Sequence, residues 1–200
     1  MARYTGPKRR LSRREGIPLF GKDEKYLERK GAMPPGQRGV RRKKRLSEYG
    51  LQLREKQKAK RLFGVLERQF KNYLSRASKK RGEIGLSFLR LLETRLDNLV
   101  FRLGFAKSRM QARQMVSHGH ILVDGKKNNI PSCSVNINQT VAIGPKFVDN
   151  IQVKKNLEEE KTLPAWLKKQ ALVGKVLRLP ERDEMEQSIN EQLIVEYYSR

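Results

Sequence analysis

The chain has 200 residues, of which 45 are Lys or Arg and 21 are Asp or Glu, so its formal net charge at pH 7 is +24. Because a folded chain with this charge repels itself, we expect a polyanionic partner rather than a merely solubilising surface or an anionic membrane. The single cysteine, Cys133, excludes an intramolecular disulfide and a multi-cysteine zinc site, and no stretch approaches the ~20 apolar residues that cross a bilayer.

The positive charge is concentrated in the N-terminal half of the chain. Residues 1–45 contain 16 basic and 4 acidic residues, and residues 46–90 contain 12 and 4, whereas residues 151–200 contain nine of each. The unbroken run Arg41–Arg45 continues an already basic segment, which favours phosphate contact over a solvated tail. We therefore expect the surface that faces nucleic acid to lie mainly in the N-terminal half.

The composition of residues 1–45 predicts an irregular basic arm. Four prolines and six glycines interrupt this segment, and no apolar period is sustained in it. We expect one short helix near Asp23–Arg29, and we expect the arm to become ordered only on RNA. The candidate RNA contacts in the arm are Arg3, Lys8, Arg9, Arg10, Arg13, Arg14, Gln37, Arg38, Arg41, Arg42, Lys43, Lys44 and Arg45.

Residues 46–93 predict a helical domain. The first helix covers 47–62 with Ser47 as its N-cap, and the second covers about 65–79, where apolar residues recur at helical spacing. A third helix covers about 86–103, and its leucine repeat fits a buried bundle helix better than a coiled coil. The candidate RNA contacts in this domain are Tyr49, Arg54, Lys56, Lys58, Arg61, Arg68 and Lys71.

Residues 94–155 predict a small α+β module. Ser108 suits the N-cap of a helix that runs to Ser117, and His120–Val123 then has the apolar character of a strand. The dipeptide Asp124-Gly125 is typical of a type I′ turn, so a hairpin is expected there. Val141–Ile143 predicts a further short strand.

The module also carries a candidate RNA-binding face. Arg109 and Arg113 are four residues apart on the predicted helix, on a side away from Ala112, and the helix N-terminus favours phosphate. His118 and His120 follow in the turn and can donate to phosphate or stack on a base. A solvated helix face for the arginines, and a strand-edge role for His120, remain alternative interpretations. The other members of the candidate face are Lys107, Ser117 and Lys126.

Residues 156–200 are expected to pack on the helical domain. Pro164 is a candidate helix start, Trp166 is expected in the core, and Ile189–Tyr198 is a last apolar element. The predicted fold class is α+β, with a helical lobe completed by residues 160–200, the small RNA-binding module inserted between, and the irregular N-terminal arm.

The sequence contains no recognisable catalytic constellation. It has no Gly-Lys-Ser/Thr phosphate loop, Cys133 has no convincing base partner, and Glu158–Glu160 is typical of a solvated helix face. We therefore expect an RNA-binding protein that is not an enzyme and needs no cofactor or metal. The alternatives are an RNA-modifying enzyme with the same small module, and a regulatory RNA or DNA binder of low specificity.

Motifs along nearly the whole chain follow the order of one protein family. Five of these motifs lie outside the module or at its start, namely Pro35–Gly39, Ser47–Lys58, Arg95–Ala106, Pro164–Leu167 and Leu193–Ser199. Inside the module they are Ser108-Arg109, Ala112–Gln114, Val116–His120 and Val123–Gly125. In these motifs the chain resembles the family of small ribosomal subunit protein four from bacteria and their organelles.

The resemblance implies a function and a set of partners. Members of this family bind 16S rRNA early in assembly, near a five-way helical junction in the body of the subunit. They contact small-subunit protein five, lie near other small-subunit proteins and the channel through which mRNA enters, and influence decoding accuracy. The resemblance thus implies a cytoplasmic ribosome, or an organellar one.

The resemblance also implies specific contacts, with two departures. Many relatives have an N-terminal zinc site of four cysteines, which this sequence lacks, so no zinc is expected. Position 38 is Arg38 where relatives commonly have His, and an arginine still suits phosphate. The RNA contacts of the family within the module map onto Arg109, Gln111, Arg113, Ser117, His118, His120 and Lys126.

Overall fold

The computed structural model describes residues 4–21, 23–30, 33–36, 46–148, 150–158 and 162–199. The helices are α1 (Lys8–Glu15), α2 (Glu24–Lys30), α3 (Glu48–Leu62), α4 (Glu67–Ser78), α5 (Ile84–Glu93), α6 (Leu96–Arg102), α7 (Arg109–Ser117), α8 (Ile151–Glu158) and α9 (Glu191–Ser199). The strands are β1 (Ile121–Val123), β2 (Lys126–Lys127), β3 (Thr140–Ile143), β4 (Leu167–Gln170) and β5 (Val173–Val176). The α+β class is therefore confirmed.

The chain divides into two compact units. The first consists of the described residues up to Gly85 together with those from Ser188 onward, and the second is Leu86–Gln187. The sequence analysis instead places all of 156–200 with the helical lobe. In the structure only the segment from Ser188, which includes α9, belongs to the first unit.

The first unit is built from amphipathic helices. The apolar stripe predicted over 65–79 is confirmed, because Phe70 and Leu74 are buried on one side of α4. The predicted N-cap of α3 is also confirmed, since Ser47 Oγ accepts a hydrogen bond from the N–H of Gly50 at 3.2 Å. Helix α9 packs on α3 and completely buries Ile194.

The N-terminal arm is more regular than the sequence predicts. A short helix near Asp23–Arg29 is confirmed by α2, but α1 was not expected. Helix α1 ends at Gly16, whose left-handed backbone (φ 78°) lets its N–H reach the carbonyl of Ser12. Ser12 Oγ in turn donates to the carboxylate of Asp23 at 2.5 Å, so a buried polar contact joins α1 to the start of α2.

The helix expected over 86–103 is interrupted between α5 and α6. Arg95 adopts an extended backbone, with φ −66° and ψ 140°. The next two amides turn away from the preceding helix, since Leu96 N–H donates to Cys133 O at 2.8 Å and Asp97 N–H donates to Pro131 O at 3.2 Å. Bonds to a distant loop therefore replace the helical bonds at this point.

The second unit contains an antiparallel sheet of strand order β2-β1-β3-β5-β4 in the described part of the chain. The predicted hairpin is confirmed, because Asp124 (φ 48°) and Gly125 (φ 76°) both have the positive φ of a type I′ turn. Side chains of α6, α7 and the inner face of the sheet form the core, in which Trp166 is fully buried as expected.

The hairpin β4–β5 corrects the expectation of a helix from Pro164. Strand β5 pairs with β3, so residues 167–176 extend the sheet of the module and belong to the second unit. Gly174 lies on the inner face, where a Cβ would collide with both methyl groups of Leu103. A glycine at this position therefore allows the hairpin to approach α6 closely.

Candidate nucleic-acid interface

The start of α7 is fixed by two hydrogen bonds. Ser108 Oγ accepts from the N–H of Gln111 at 3.3 Å, and Gln111 Oε1 accepts from the N–H of Lys107 at 2.8 Å. This arrangement resembles a capping box, which satisfies amides that a helix start leaves without partners. The predicted cap is confirmed, and the side chains of Lys107 and Ser108 remain exposed.

Arg109 is held by other side chains of the second unit. Its Nε donates to Asn98 Oδ1 at 2.9 Å, and its Nη2 lies 2.8 Å from Glu186 Oε2. Its guanidinium also lies 4.7 Å from the ring centroid of Phe101. With only 16% of the side chain exposed, Arg109 does not form a solvated helix face.

Arg113 has a similar environment. Its Nη1 lies 3.6 Å from Asp97 Oδ2, and 11% of its side chain is exposed. The same carboxylate pairs with Arg95, which is almost completely buried. The two arginines predicted to bind phosphate are thus oriented by internal carboxylates, and a phosphate would have to share or replace those partners.

A second cluster of ionic contacts is joined to Arg109 through Asn98. Glu93 is fully buried and accepts from Arg102 Nη2 at 2.7 Å and from Asn98 Nδ2 at 2.6 Å. Burial by itself lowers the pKa of Arg102, but the carboxylate of Glu93 outweighs it and raises that pKa. Sequence analysis missed Asn98 and Glu186 as positioning residues. Glu186 is 77 residues from Arg109, so no local pattern could have revealed the contact.

The two histidines lie side by side after α7. Their ring centroids are 5.9 Å apart, and the ring of His120 stacks on Phe147 at 3.9 Å with 7° between the planes. Burial, together with the charges of His118 and Lys127, lowers the pKa of His120. His120 is therefore neutral near pH 7, which suits stacking and hydrogen bonding rather than ion pairing.

Helix α1 carries basic side chains on its exposed side. Arg13 is half-buried and its Nε donates to the carbonyl of Met33 at 2.9 Å, so this arginine holds a nearby segment of backbone. Arg9 lies 4.0 Å from Asp23, but 66% of its side chain is exposed. The exposed basic residues of this helix are Lys8, Arg9, Arg10 and Arg14.

The predicted contacts on α3 and α4 fall into two groups. Arg54 and Arg61 both pair with Glu15, and Lys58 pairs with Glu55 at 2.6 Å. A cation that already has a carboxylate partner contributes less to phosphate binding, because the carboxylate loses its own partner. The remaining predicted contacts, which are exposed, are Tyr49, Arg68 and Lys71.

Lys56 is the predicted contact whose burial opposes an RNA-binding role. The residue is 5% exposed, its Nζ lies 2.9 Å from Glu67 Oε1, and the same ammonium lies 4.5 Å from the ring centroid of Tyr197. Glu67 also accepts from Lys60 at 2.8 Å and from the hydroxyl of Tyr198 at 2.6 Å. This cluster attaches α9 to α3 and α4, so we leave Lys56 out of the proposed RNA surface.

Acid should weaken the attachment of α9. Burial alone would raise the pKa of Glu67, but hydrogen bonds from Lys60, Tyr198 and Lys56 outweigh it and lower the pKa from the ordinary 4.5 to about 2. A carboxylate whose pKa is lower in the folded protein than in the unfolded chain stabilises the fold at pH values above its ordinary pKa. This stabilisation is lost as the pH falls from 4.5 towards 2. The protection factors of the α9 amides, which relate each exchange rate to the intrinsic rate at the same pH, should therefore fall across this pH range.

The control is Glu67→Gln, which removes the titrating carboxylate and keeps the shape of the side chain. Its α9 amides should exchange faster than those of the wild type near neutral pH and should lose the pH dependence described above. The exposed Glu83→Gln should behave like the wild type. An unchanged pH dependence in Glu67→Gln would show that another group controls the docking of α9.

Some predicted contacts lie outside the described residues. These are Arg3, Gln37, Arg38, Arg41, Arg42, Lys43, Lys44 and Arg45. Within the described ranges, His, Cys, Asp and Glu side chains do not form a group of three or more that could hold a metal ion. In the same ranges, every helix is too short or too polar to cross a membrane.

The sequence matches two family models that meet between residues 93 and 94. Residues 3–93 match the ribosomal protein S4/S9 N-terminal domain, and residues 94–141 match the S4 domain. The match to the second model ends in β3, so it does not include the hairpin β4–β5.

Similar proteins align along their whole length. Small ribosomal subunit protein uS4 of Dictyoglomus turgidum is 53% identical over 207 residues, and that of Herpetosiphon aurantiacus is 50% identical over 212. Small ribosomal subunit protein uS4A of Symbiobacterium thermophilum is 52% identical over 208 residues. Each alignment covers 100% of both chains. The chain therefore belongs to the family of small ribosomal subunit protein uS4.

Proposed function

We propose that this protein is a structural constituent of the small ribosomal subunit that binds 16S rRNA directly and catalyses no reaction. The observation that carries the proposal is the end-to-end identity of about half of all positions with proteins named for that subunit. A net charge of +24 and the exposed basic side chains of α1 and α4 support it, because phosphate neutralisation supplies most of the affinity of such proteins.

The finer parts of the proposal concern assembly. The protein acts early on the cytoplasmic ribosome, at a five-way junction of 16S rRNA in the body of the subunit, and thereby nucleates assembly. It contacts small-subunit protein five and other small-subunit proteins near the channel through which mRNA enters, and it contributes to decoding accuracy. Two folded units with basic surfaces support a role at a junction, since each can contact a different helix.

The rival function is an RNA-modifying enzyme that uses the S4 domain for targeting. Such an enzyme needs a catalytic domain beside that module. Residues 3–93, however, match a ribosomal domain, and Glu93, Glu184 and Glu186 of the second unit each pair with an arginine instead of standing ready as an acid or base. A low-specificity nucleic-acid binder is the other alternative, and binding experiments separate it from the proposal.

Chemical footprinting of naked 16S rRNA with the full-length protein tests the proposal. We expect submicromolar protein in moderate salt to protect one multi-helix junction, because specific sites bind far more tightly than non-specific ones. Competition with duplex DNA is the matched control and should barely reduce this protection. Absent protection, or equal competition by DNA, would contradict the proposal.

A further inference from the structure

The outer face of the sheet carries two lysines directly opposite each other. Lys168 on β4 is the register partner of Lys175 on β5, and Lys175 is the register partner of Thr140 on β3. Partners in an antiparallel pair project from the same face, and both lysines are exposed. Like charges in this position destabilise a hairpin, so the arrangement calls for a compensating anion.

The described residues do not supply that anion. Neither Lys168 nor Lys175 has a carboxylate partner among them, and strands β4 and β5 contain no acidic residue. Asp124, in the turn at the end of β1, accepts hydrogen bonds from Thr140 N–H and Gln139 Nε2, each at 2.7 Å. Thr140 Oγ1 also donates to it at 3.1 Å, so this carboxylate is bound by the loop and by β3, and it forms no ion pair with either lysine.

The rest of this face is at least partly exposed. The adjacent row contains Leu122, Ala142 and Val173 in register, with Lys127 at the β2 end and Gln170 at the β4 end. Four strand spacings of about 4.8 Å separate the two ends, which makes the face roughly 19 Å wide. We call these five residues, with Thr140, Lys168 and Lys175, the outer sheet face.

We propose that the outer sheet face binds the phosphate backbone of RNA, with Lys168 on β4 and Lys175 on β5 each contacting a phosphate. This inference rests on the proposed function and deepens it, because the two lysines lie outside the segment that matches the S4 domain. The face lacks an aromatic or arginine anchor of the kind that protein interfaces use, whereas lysine binds phosphate as a point charge. RNA is therefore favoured over an acidic protein surface.

The decisive variant is Lys175→Glu, which turns the repelling pair into an attracting one. Its melting temperature should rise or stay at the wild-type value, while its affinity for 16S rRNA falls. The double variant Lys168→Thr with Lys175→Thr keeps residues that favour strands. It should lower the slope of log affinity against log salt by about two, one unit for each lost phosphate contact. The control Ile130→Thr alters an exposed β-branched residue outside the outer sheet face, removes no charge and should leave the slope unchanged.

The outcomes are distinguishable. If the wild-type protein does not bind 16S rRNA, the proposed function and this inference both fail. If the wild type binds and the double variant keeps its slope, only the inference is overturned. A variant that binds naked rRNA normally but is excluded from assembled subunits would assign the face to an acidic protein and also overturn the inference. A lower melting temperature in Lys175→Glu would contradict the argument from repulsion.

Discussion

Replacing Asp97 with alanine is expected to lower the free energy of unfolding of the second unit by about 3–5 kcal/mol. Arg95 is 1% exposed, and its Nε and Nη2 donate to the two carboxylate oxygens of Asp97 at 3.0 and 2.7 Å. Asp97 also accepts from the N–H of Asn98 at 3.0 Å. The alanine variant therefore leaves a buried guanidinium without its carboxylate, which is far more costly than losing an exposed ion pair.

Urea unfolding followed by tryptophan fluorescence measures this change. Trp166 is the only tryptophan and is fully buried in the second unit, so its emission reports the unfolding of that unit. The matched control is Asp183→Ala, the same chemical change at an exposed position, with an expected effect within about 0.5 kcal/mol. A small loss for Asp97→Ala, comparable to the control, would show that Arg95 is adequately satisfied without the carboxylate.

Local sequence signals predicted the parts of the fold that depend on neighbouring residues. The caps at Ser47 and Ser108 and the turn at Asp124-Gly125 each depend on one or two side chains and the backbone beside them. The break between α5 and α6 depends instead on carbonyl groups at Pro131 and Cys133. The leucine pattern continues through the break, since both helices bury their leucines, and periodicity alone therefore predicts one helix.

The hairpin β4–β5 was missed because its alternation is hidden. Leu167 is buried and Lys168 is exposed, as a strand requires, but Lys169 follows on the inner side where an apolar residue would be expected. Its ammonium lies 5.4 Å from the ring centroid of Phe105, and burial lowers the pKa of Lys169. A long basic side chain can cover apolar surface in this way, so a strand with two consecutive lysines looks polar in sequence.

The candidate site shows the same division between local and distant information. Helical spacing correctly placed Arg109 and Arg113 near each other on α7, and their basicity suggested RNA. Spacing could not show that Glu186 and Asp97 occupy their guanidinium groups, because ion pairing depends on the tertiary fold. The most useful distinction among the predicted cations is therefore whether each has an internal carboxylate partner, and this distinction has a measurable consequence.

The consequence should appear in the salt dependence of rRNA binding. Each exposed cation that neutralises a phosphate adds about one unit to the slope of log affinity against log salt. Replacing Arg10, Arg14, Arg68 and Lys71 with glutamine removes four exposed charges and preserves helix propensity. We expect the slope to fall by about four, so that a fourfold rise in salt weakens the wild type roughly 250-fold more than the variant.

The comparison variant removes cations that already have partners. Lys58 lies 2.6 Å from Glu55 and Lys60 lies 2.8 Å from Glu67, with 17% and 20% of their side chains exposed. Replacing both with glutamine should change the slope by well under one unit per residue, because each lysine would have to leave its carboxylate to contact a phosphate. If filter binding at several salt concentrations gave equal changes per residue for the two variants, internal pairing would not decide which cations contact rRNA. In that case the paired arginines and lysines of both units would be as good candidates for phosphate contact as the exposed cations.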